Sequence, residues 1–215
     1  MVRLDGTMCQ IDWTLVIGGL TAIGTIAIAC LAIWGNWVKF RLTPPKLRIE
    51  PHNLRGTLTR FTNGPRVIYY HLKATNSRPW SVARNCRVIL RAIYRRLPNG
   101  EFQNVPLPVL PSFVWAPAEV TPPVIDLSHE QTLDFGRIVE GGNHFEPILY
   151  FFPNNFEGFV TPHNAIRYAL EIVAEGFKSE RFQVFEVAWD GAWSDNLDTM
   201  GNHLTVREIT IESAS

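Results

Sequence analysis

Val67-Ile68-Tyr69-Tyr70-His71-Leu72-Lys73-Ala74-Thr75-Asn76 changes side at every residue. In an extended chain Ile68, Tyr70, Leu72 and Ala74 share one face, while Val67, Tyr69, His71, Lys73 and Thr75 share the other. That period of two is the mark of a strand with one buried face. The pattern recurs: Tyr168, Leu170, Ile172 and Ala174 alternate with Arg167, Ala169, Glu171 and Val173, and Phe185, Val187 and Trp189 alternate with Glu186 and Ala188. Ile148-Leu149-Tyr150-Phe151-Phe152 is a short continuous apolar run and reads as a central strand. Further strands are expected near 46–51, 55–62, 109–116, 132–138 and 203–211. Asn63-Gly64-Pro65, Pro98-Asn99-Gly100, Gly141-Gly142-Asn143, Pro153-Asn154-Asn155 and Asp190-Gly191 supply the turns between them. Seven or more short strands punctuated in this way predict an all-β domain over 46–215, an antiparallel β-sandwich.

Residues 82–96 admit two readings. Arg84, Arg87, Arg91 and Arg95 sit at helical spacing. At period two, Cys86, Val88, Leu90, Ala92 and Tyr94 form one face and Arg87, Arg91 and Arg95 the other, with Ile89 and Ile93. The β-branched residues and the Pro98-Asn99-Gly100 turn favour the strand.

Two stretches carry a family resemblance. Tyr69-Tyr70-His71-Leu72-Lys73-Ala74-Thr75-Asn76 followed by Ala83-Arg84-Asn85-Cys86-Arg87-Val88-Ile89-Leu90 resembles the B and C strands of bacterial immunoglobulin-like modules. Tyr168 to Glu175 and Phe185 to Trp193 resemble the closing strands of membrane-anchored proteins of that type. The resemblance implies an immunoglobulin-like sandwich and no particular activity, because such folds host adhesion, scaffolding and ligand binding alike.

Ahead of the strands lies an uncharged run from Trp13 to Val38, bounded by Asp12 and Lys39. It exceeds the roughly 20 apolar residues that cross a hydrocarbon core, and Trp13, Trp34 and Trp37 stand where interfacial tryptophans anchor a span. A single transmembrane helix over 13–38 is expected, after a short segment 1–12 and before a basic, proline-containing linker 39–45. Arg3, Asp5 and Asp12 precede the run, and Lys39, Arg41, Lys46 and Arg48 follow it. The positive-inside rule then predicts an outside N-terminus and a cytoplasmic domain at the inner membrane. A cleaved signal peptide fits poorly, since the start is nearly neutral and the apolar core too long. Ile26-Ala27-Ile28-Ala29-Cys30 loosely resembles a lipobox, but Leu31-Ala32-Ile33-Trp34 continues the apolar run past it. Small residues recur at Gly18, Ala22, Thr25, Ala29 and Ala32, a candidate face for helix self-association and hence for a homo-oligomer. Cys9, Cys30 and Cys86 permit no disulfide framework across such a topology.

The zero net charge conceals a segregation. Residues 39–100 carry fourteen Lys and Arg against Glu50 alone, whereas 101–215 carry five basic against seventeen acidic residues. Two explanations compete. Strands of the two halves could interleave and neutralise one another, or the basic half could face anionic lipid or a ligand through Lys39, Arg41, Arg84, Arg87, Arg91 and Arg95. Nothing resembles a nucleic-acid recognition motif.

Catalytic motifs are absent: there is no phosphate loop, no Gly-x-Ser-x-Gly elbow and no His-Glu-x-x-His. The cluster His129, Glu130, Asp134, His144 and Glu146 matches no metal-ligand spacing. Asp190, Asp195, Asn196 and Asp198 supply oxygen ligands without the EF-hand pattern. The proline-rich stretch 105–123 reads as an extended crossover that tucks Phe113 and Trp115 into the core. No catalytic residue, cofactor or metal is expected. The expected function is a non-catalytic protein-interaction or scaffolding module at the membrane. The alternative is a membrane-bound sensor whose sandwich binds a small anionic ligand. A sensor calls for a concavity where arginines converge, a module for arginines spread over the surface.

Overall fold

The computed structural model describes residues 13–62, 64–118, 120–179 and 182–209, without the side chains of 13, 15 and 36–41. Arg3, Asp5, Cys9 and Asp12 lie outside these residues, as do the side chains of Trp13, Trp37, Lys39 and Arg41. The chain divides into two compact units between Pro44 and Pro45.

The first unit contains one helix, α1 (Trp13–Leu42). It continues four residues past Val38, through the segment expected to be linker, and ends at Thr43-Pro44-Pro45, where proline removes helix donors. Its Val16–Gly35 portion has a mean hydropathy of 2.3 and is long and apolar enough to cross a membrane. Thr21 and Thr25 donate their hydroxyls to the carbonyls of Ile17 and Thr21, each at 2.9 Å. No polar hydrogen of these two side chains therefore needs water.

The second unit is two antiparallel sheets packed face to face. The first follows the order β1 (Leu47–Arg60), β2 (Arg66–Asn76), β7 (Glu130–Val139), β5 (Val114–Trp115), with β8 (Phe145–Pro147) against β7. The second runs β12 (Leu204–Ile209), β11 (Gln183–Trp189), β9 (Asn164–Ala174), β3 (Ala83–Arg96), β4 (Phe102–Val105). Here β10 (Phe177–Lys178) pairs with β9, and β6 (Ile125–Leu127) with β3. Each sheet turns one face inward, so the alternating residues of β2, β3, β9 and β11 meet in a single core. Phe135 is its centre, with ring centroids of Phe113, Phe145, Tyr168 and Phe185 at 5.6 to 6.0 Å. Phe113 and Trp115 are fully buried, and the chain crosses from β4 in the second sheet to β5 in the first, within the proline-rich stretch expected to be a crossover.

Residues 83–96 form a strand, with a correction in detail. A bulge between Leu90 and Ala92 shifts the register against β9. An extra residue reverses the alternation beyond it. Ile93 therefore turns into the core, while Ala92 and Tyr94 turn outward. The run Ile148–Phe152 is not a strand. Leu149 bridges Phe113, and Tyr150 to Phe152 leave the sheet as an exposed loop. Pro147 and Pro153 bracket the run and cannot donate to a ladder. The candidates 46–51 and 55–62 join into one long strand, β1, through register shifts around Asn53. A short helix, α2 (Leu197–His203), precedes β12, its N-cap Asn196 accepting from the backbone N–H groups of Asp198 and Thr199.

The side of the sandwich where β1 meets β11 and β12 is stitched by Gln183. Its side-chain amide accepts from the Ile49 N–H at 2.6 Å and donates to the Ile49 carbonyl, as a strand partner would. Both hydrogen-bonding groups of an edge residue are thereby occupied.

Candidate interaction surfaces

Each arginine of the basic half occupies a definite position. Arg91 is the bulged residue of β3; its Nε lies 2.9 Å from Oε2 of Glu171, which is only 1 % exposed, and its guanidinium packs on the Phe182 ring. Lys178 approaches the other oxygen of Glu171 at 3.8 Å. Arg95 pairs with Glu157 at 3.0 Å and donates to the Glu157 carbonyl. Arg66 holds Glu140 and Asp195, Arg55 holds Asp198, and Lys73 holds Glu130. Apart from Lys178–Glu171, each of these pairs joins a cation of 39–100 to an acid of 101–215, so interleaved strands account for much of the segregation. Arg84 and Arg87 are exposed and make no ion pair among the described residues. Lys39 and Arg41 fall within α1. The four arginines of the sandwich singled out from sequence, Arg84, Arg87, Arg91 and Arg95, therefore do not converge on one ligand site: two are paired and two are exposed.

A second ionic system runs across the outer face of the second sheet. Tyr94, Arg167, Glu186 and Arg207 are consecutive cross-strand partners. Arg167 Nε donates to Glu186 at 2.7 Å and Arg207 Nε at 3.0 Å, and the Arg167 guanidinium lies 3.6 Å from the centroid of the Phe102 ring. Burial pushes the Glu186 carboxyl up, but the hydrogen bonds from the two arginines outweigh it and hold the group below its ordinary value.

The acidic clusters considered as metal sites are likewise distributed. Glu130 faces Lys73, Glu146 faces Arg137, and His71 Nδ1 lies 2.9 Å from Asp134. His144 stands edge-on to Phe159. Asp190 accepts from the Ala192 N–H and lies 2.8 Å from His203, contacts that hold its carboxyl below the usual range. Asn196 caps α2. Among the described residues no three His, Cys, Asp or Glu side chains are grouped to hold a metal ion. Cys86 is buried, which pushes its thiol up to about 12 and leaves it inert.

Two of the concavities that border the sandwich contain arginine. One, of about 840 Å³, lies between the β1 and β12 edges and mixes Lys46 and Arg48 with Glu50 and Glu208. The other, of about 550 Å³, has Arg95, Arg96 and His163 on its wall, of which Arg95 is already paired.

The apolar surface is more concentrated. Leu149 bridges Phe113, and the Tyr150 N–H donates to the Ser112 carbonyl at 2.8 Å, so the 149–152 loop runs antiparallel beside 109–113. On either side of this pairing Val109, Leu110, Tyr150, Phe151 and Phe152 are 53, 40, 61, 43 and 39 % exposed. Phe152 continues inward to Phe156 and Phe159, at centroid distances of 5.2 and 5.6 Å. Sequence reading missed this surface by assigning the run to a central strand. The available signal was three adjacent aromatics just before Pro153-Asn154-Asn155, which period two cannot bury on one face.

No protein-family model matches the sequence, and no curated protein matches it.

Proposed function

We propose that this chain is a membrane-tethered, non-catalytic interaction module whose immunoglobulin-like sandwich docks a protein partner along its aromatic edge. The carrying observation is the exposure of Val109, Leu110, Tyr150, Phe151 and Phe152 on two segments that pair at Ser112 and Tyr150. Monomeric proteins rarely leave such a patch in water unless it is an interaction site, and aromatic anchors dominate interface energetics. The order β1-β2-β7-β5 against β4-β3-β9-β11 parallels the ABED and C′CFG sheets of immunoglobulin folds, which supports the family resemblance. The spread and pairing of the arginines favour a module over a sensor of anionic ligands. Tethering through α1 at the inner membrane, with the sandwich cytoplasmic, follows from Lys39, Arg41, Lys46 and Arg48 after the apolar run.

A photo-crosslinking phenylalanine at position 151, in cells expressing the full chain, tests the docking edge. The expected result is a discrete adduct that disappears on Tyr150→Ser with Leu110→Ser and is absent with the crosslinker at Thr59. Equal adducts at 151 and 59, or none at 151 in a folded chain, would refute it.

A further inference from the structure

We infer that the end of the sandwich formed by Lys46 and the 77–82 loop is a bilayer-contacting surface, with Trp80 seated among anionic headgroups. This goes beyond the protein-docking edge and rests on α1 being the anchor. Asn76 organises this end. Fully covered, it accepts from the N–H groups of Lys46 and Arg78 at 3.2 and 3.0 Å and donates to the carbonyls of Ser81 and Leu127. The Ser77 N–H adds a bond to the Lys46 carbonyl at 3.0 Å. The loop is thus fastened to the residue at which the chain arrives from Thr43-Pro44-Pro45. Lys46 follows Leu42 by four residues, a chain reach of at most about 14 Å.

On this fastened loop Trp80 is 63 % exposed. An indole held out from a rigid loop has no gain in water, but it partitions to the headgroup layer of a bilayer. The Ala116 N–H bonds the Thr132 carbonyl near the start of β7, and Val120, just beyond, is 78 % exposed. Lys46 and Arg84 are exposed at this end, with Arg78 half-buried between them. Of the nearby acids, Glu130 is taken by Lys73, while Asp126 and Glu175 accept from Asn85. Exposed aromatic and apolar residues beside cations suit anionic headgroups; the concavity that Lys46 and Ser77 share with Arg48, Glu50 and Glu208 carries both signs of charge and opens between β1 and β12.

The full chain, with Cys9 and Cys30 replaced by Ala and an environment-sensitive dye at Ser77→Cys, would be reconstituted in phosphatidylcholine–phosphatidylglycerol vesicles. Cys86 is buried and stays unlabelled. Quenching by lipid carrying a headgroup-level spin label is then compared with dye at Asn99→Cys, in the turn beyond the opposite end of β3. Quenching at 77 is expected to exceed that at 99 by about threefold. It should fall to the control level on Trp80→Ser, or on Lys46→Glu with Arg84→Glu, since each basic residue near an anionic surface is worth about fivefold in partition. Equal quenching at 77 and 99 overturns the inference. Strong quenching at 77 that neither variant reduces also overturns it, because the tether alone would then explain the proximity. Failure of the chain to float with the vesicles would instead remove the anchor on which the inference rests.

Discussion

Replacing Glu186 by Gln tests whether the arginine ladder of the second sheet is structural cement. The substitution keeps the shape and one acceptor oxygen but removes the charge shared by Arg167 and Arg207. Glu186 is 4 % exposed. The Arg167 side chain keeps 29 % of its exposure and the Arg207 side chain 64 %. A hydrogen bond to a charged group contributes about 1.5–3 kcal/mol when shielded, whereas an exposed pair contributes about 0.2–1 kcal/mol. Assigning about 1.5 kcal/mol to the Arg167 contact and about 0.5 kcal/mol to that with Arg207 gives a loss near 2 kcal/mol. For a folded unit of this size that lowers Tm by about 4–8 °C. Thermal unfolding of the detergent-solubilised full chain, followed by near-ultraviolet dichroism, measures it. Double-mutant cycles with Arg167→Met and Arg207→Met divide the loss between the two arginines. The reasoning fails if Glu186→Gln costs under about 0.5 kcal/mol, or if the Arg207 coupling equals the Arg167 coupling.

Two further outcomes follow from the same packing. Gly136→Ala would place a Cβ 2.1 Å from Cζ of the fully buried Phe145. An overpacked core of this kind loses about 1–3 kcal/mol, and Phe145→Leu in the same chain should restore part of it in chemical denaturation. In the acid range, Arg66 donates from its guanidinium and its backbone N–H to Glu140 and holds that carboxyl at about 2, down from 4.5. A depressed carboxylate contributes stability that is complete above the unfolded value and is lost as pH falls through the folded one. Tm should therefore drop between about pH 4.5 and pH 2, with Asp190 and Glu186 adding in the same direction, and Arg66→Met should flatten that limb.

What the sequence made legible was local. Alternation in 67–76, 168–174 and 185–189 identified three core strands, because one-sided burial imposes period two regardless of what lies opposite. The length of the uncharged run identified α1. The bulge at Leu90–Ala92 was illegible: whether a residue is extra depends on its partner in β9, so the outward turn of Tyr94 and the inward turn of Ile93 could not be read from β3 alone. Tyr150-Phe151-Phe152 was misread for a related reason. A run apolar on both faces describes a central strand or a surface loop equally well, and only the course of 109–113 beside it decides. The helix α2 was not anticipated: Asn196 was read only as an oxygen ligand, and seven residues are too few for a periodicity. The charge imbalance was visible as a count, while the pairing that resolves it is tertiary.

That pairing bears directly on which surface can act. An anionic ligand drawn to Arg91 would have to take it from Glu171, leaving a nearly inaccessible carboxylate with only Lys178 at 3.8 Å. Breaking one side of a buried pair costs about 3–5 kcal/mol, which equals or exceeds what one exposed phosphate contact returns. Arg95 is held twice by Glu157, and Arg167 is held between Glu186 and the Phe102 ring. Cations committed in this way stabilise the sheets and are poor recognition elements, because binding them must first undo the fold's own contacts. Arg84 and Lys46, which keep their charge in water, are on the end of the sandwich that the chain enters from α1. The aromatic edge carries no such ionic commitment, and Tyr150 and Phe151 are 61 and 43 % exposed. A ligand there displaces only water, so its apolar area counts toward affinity without an intramolecular competitor. The basic block and the aromatic loop are therefore opposite cases: Arg55, Arg66, Lys73, Arg91 and Arg95 are already paired within the chain, while Tyr150 and Phe151 keep much of their surface exposed.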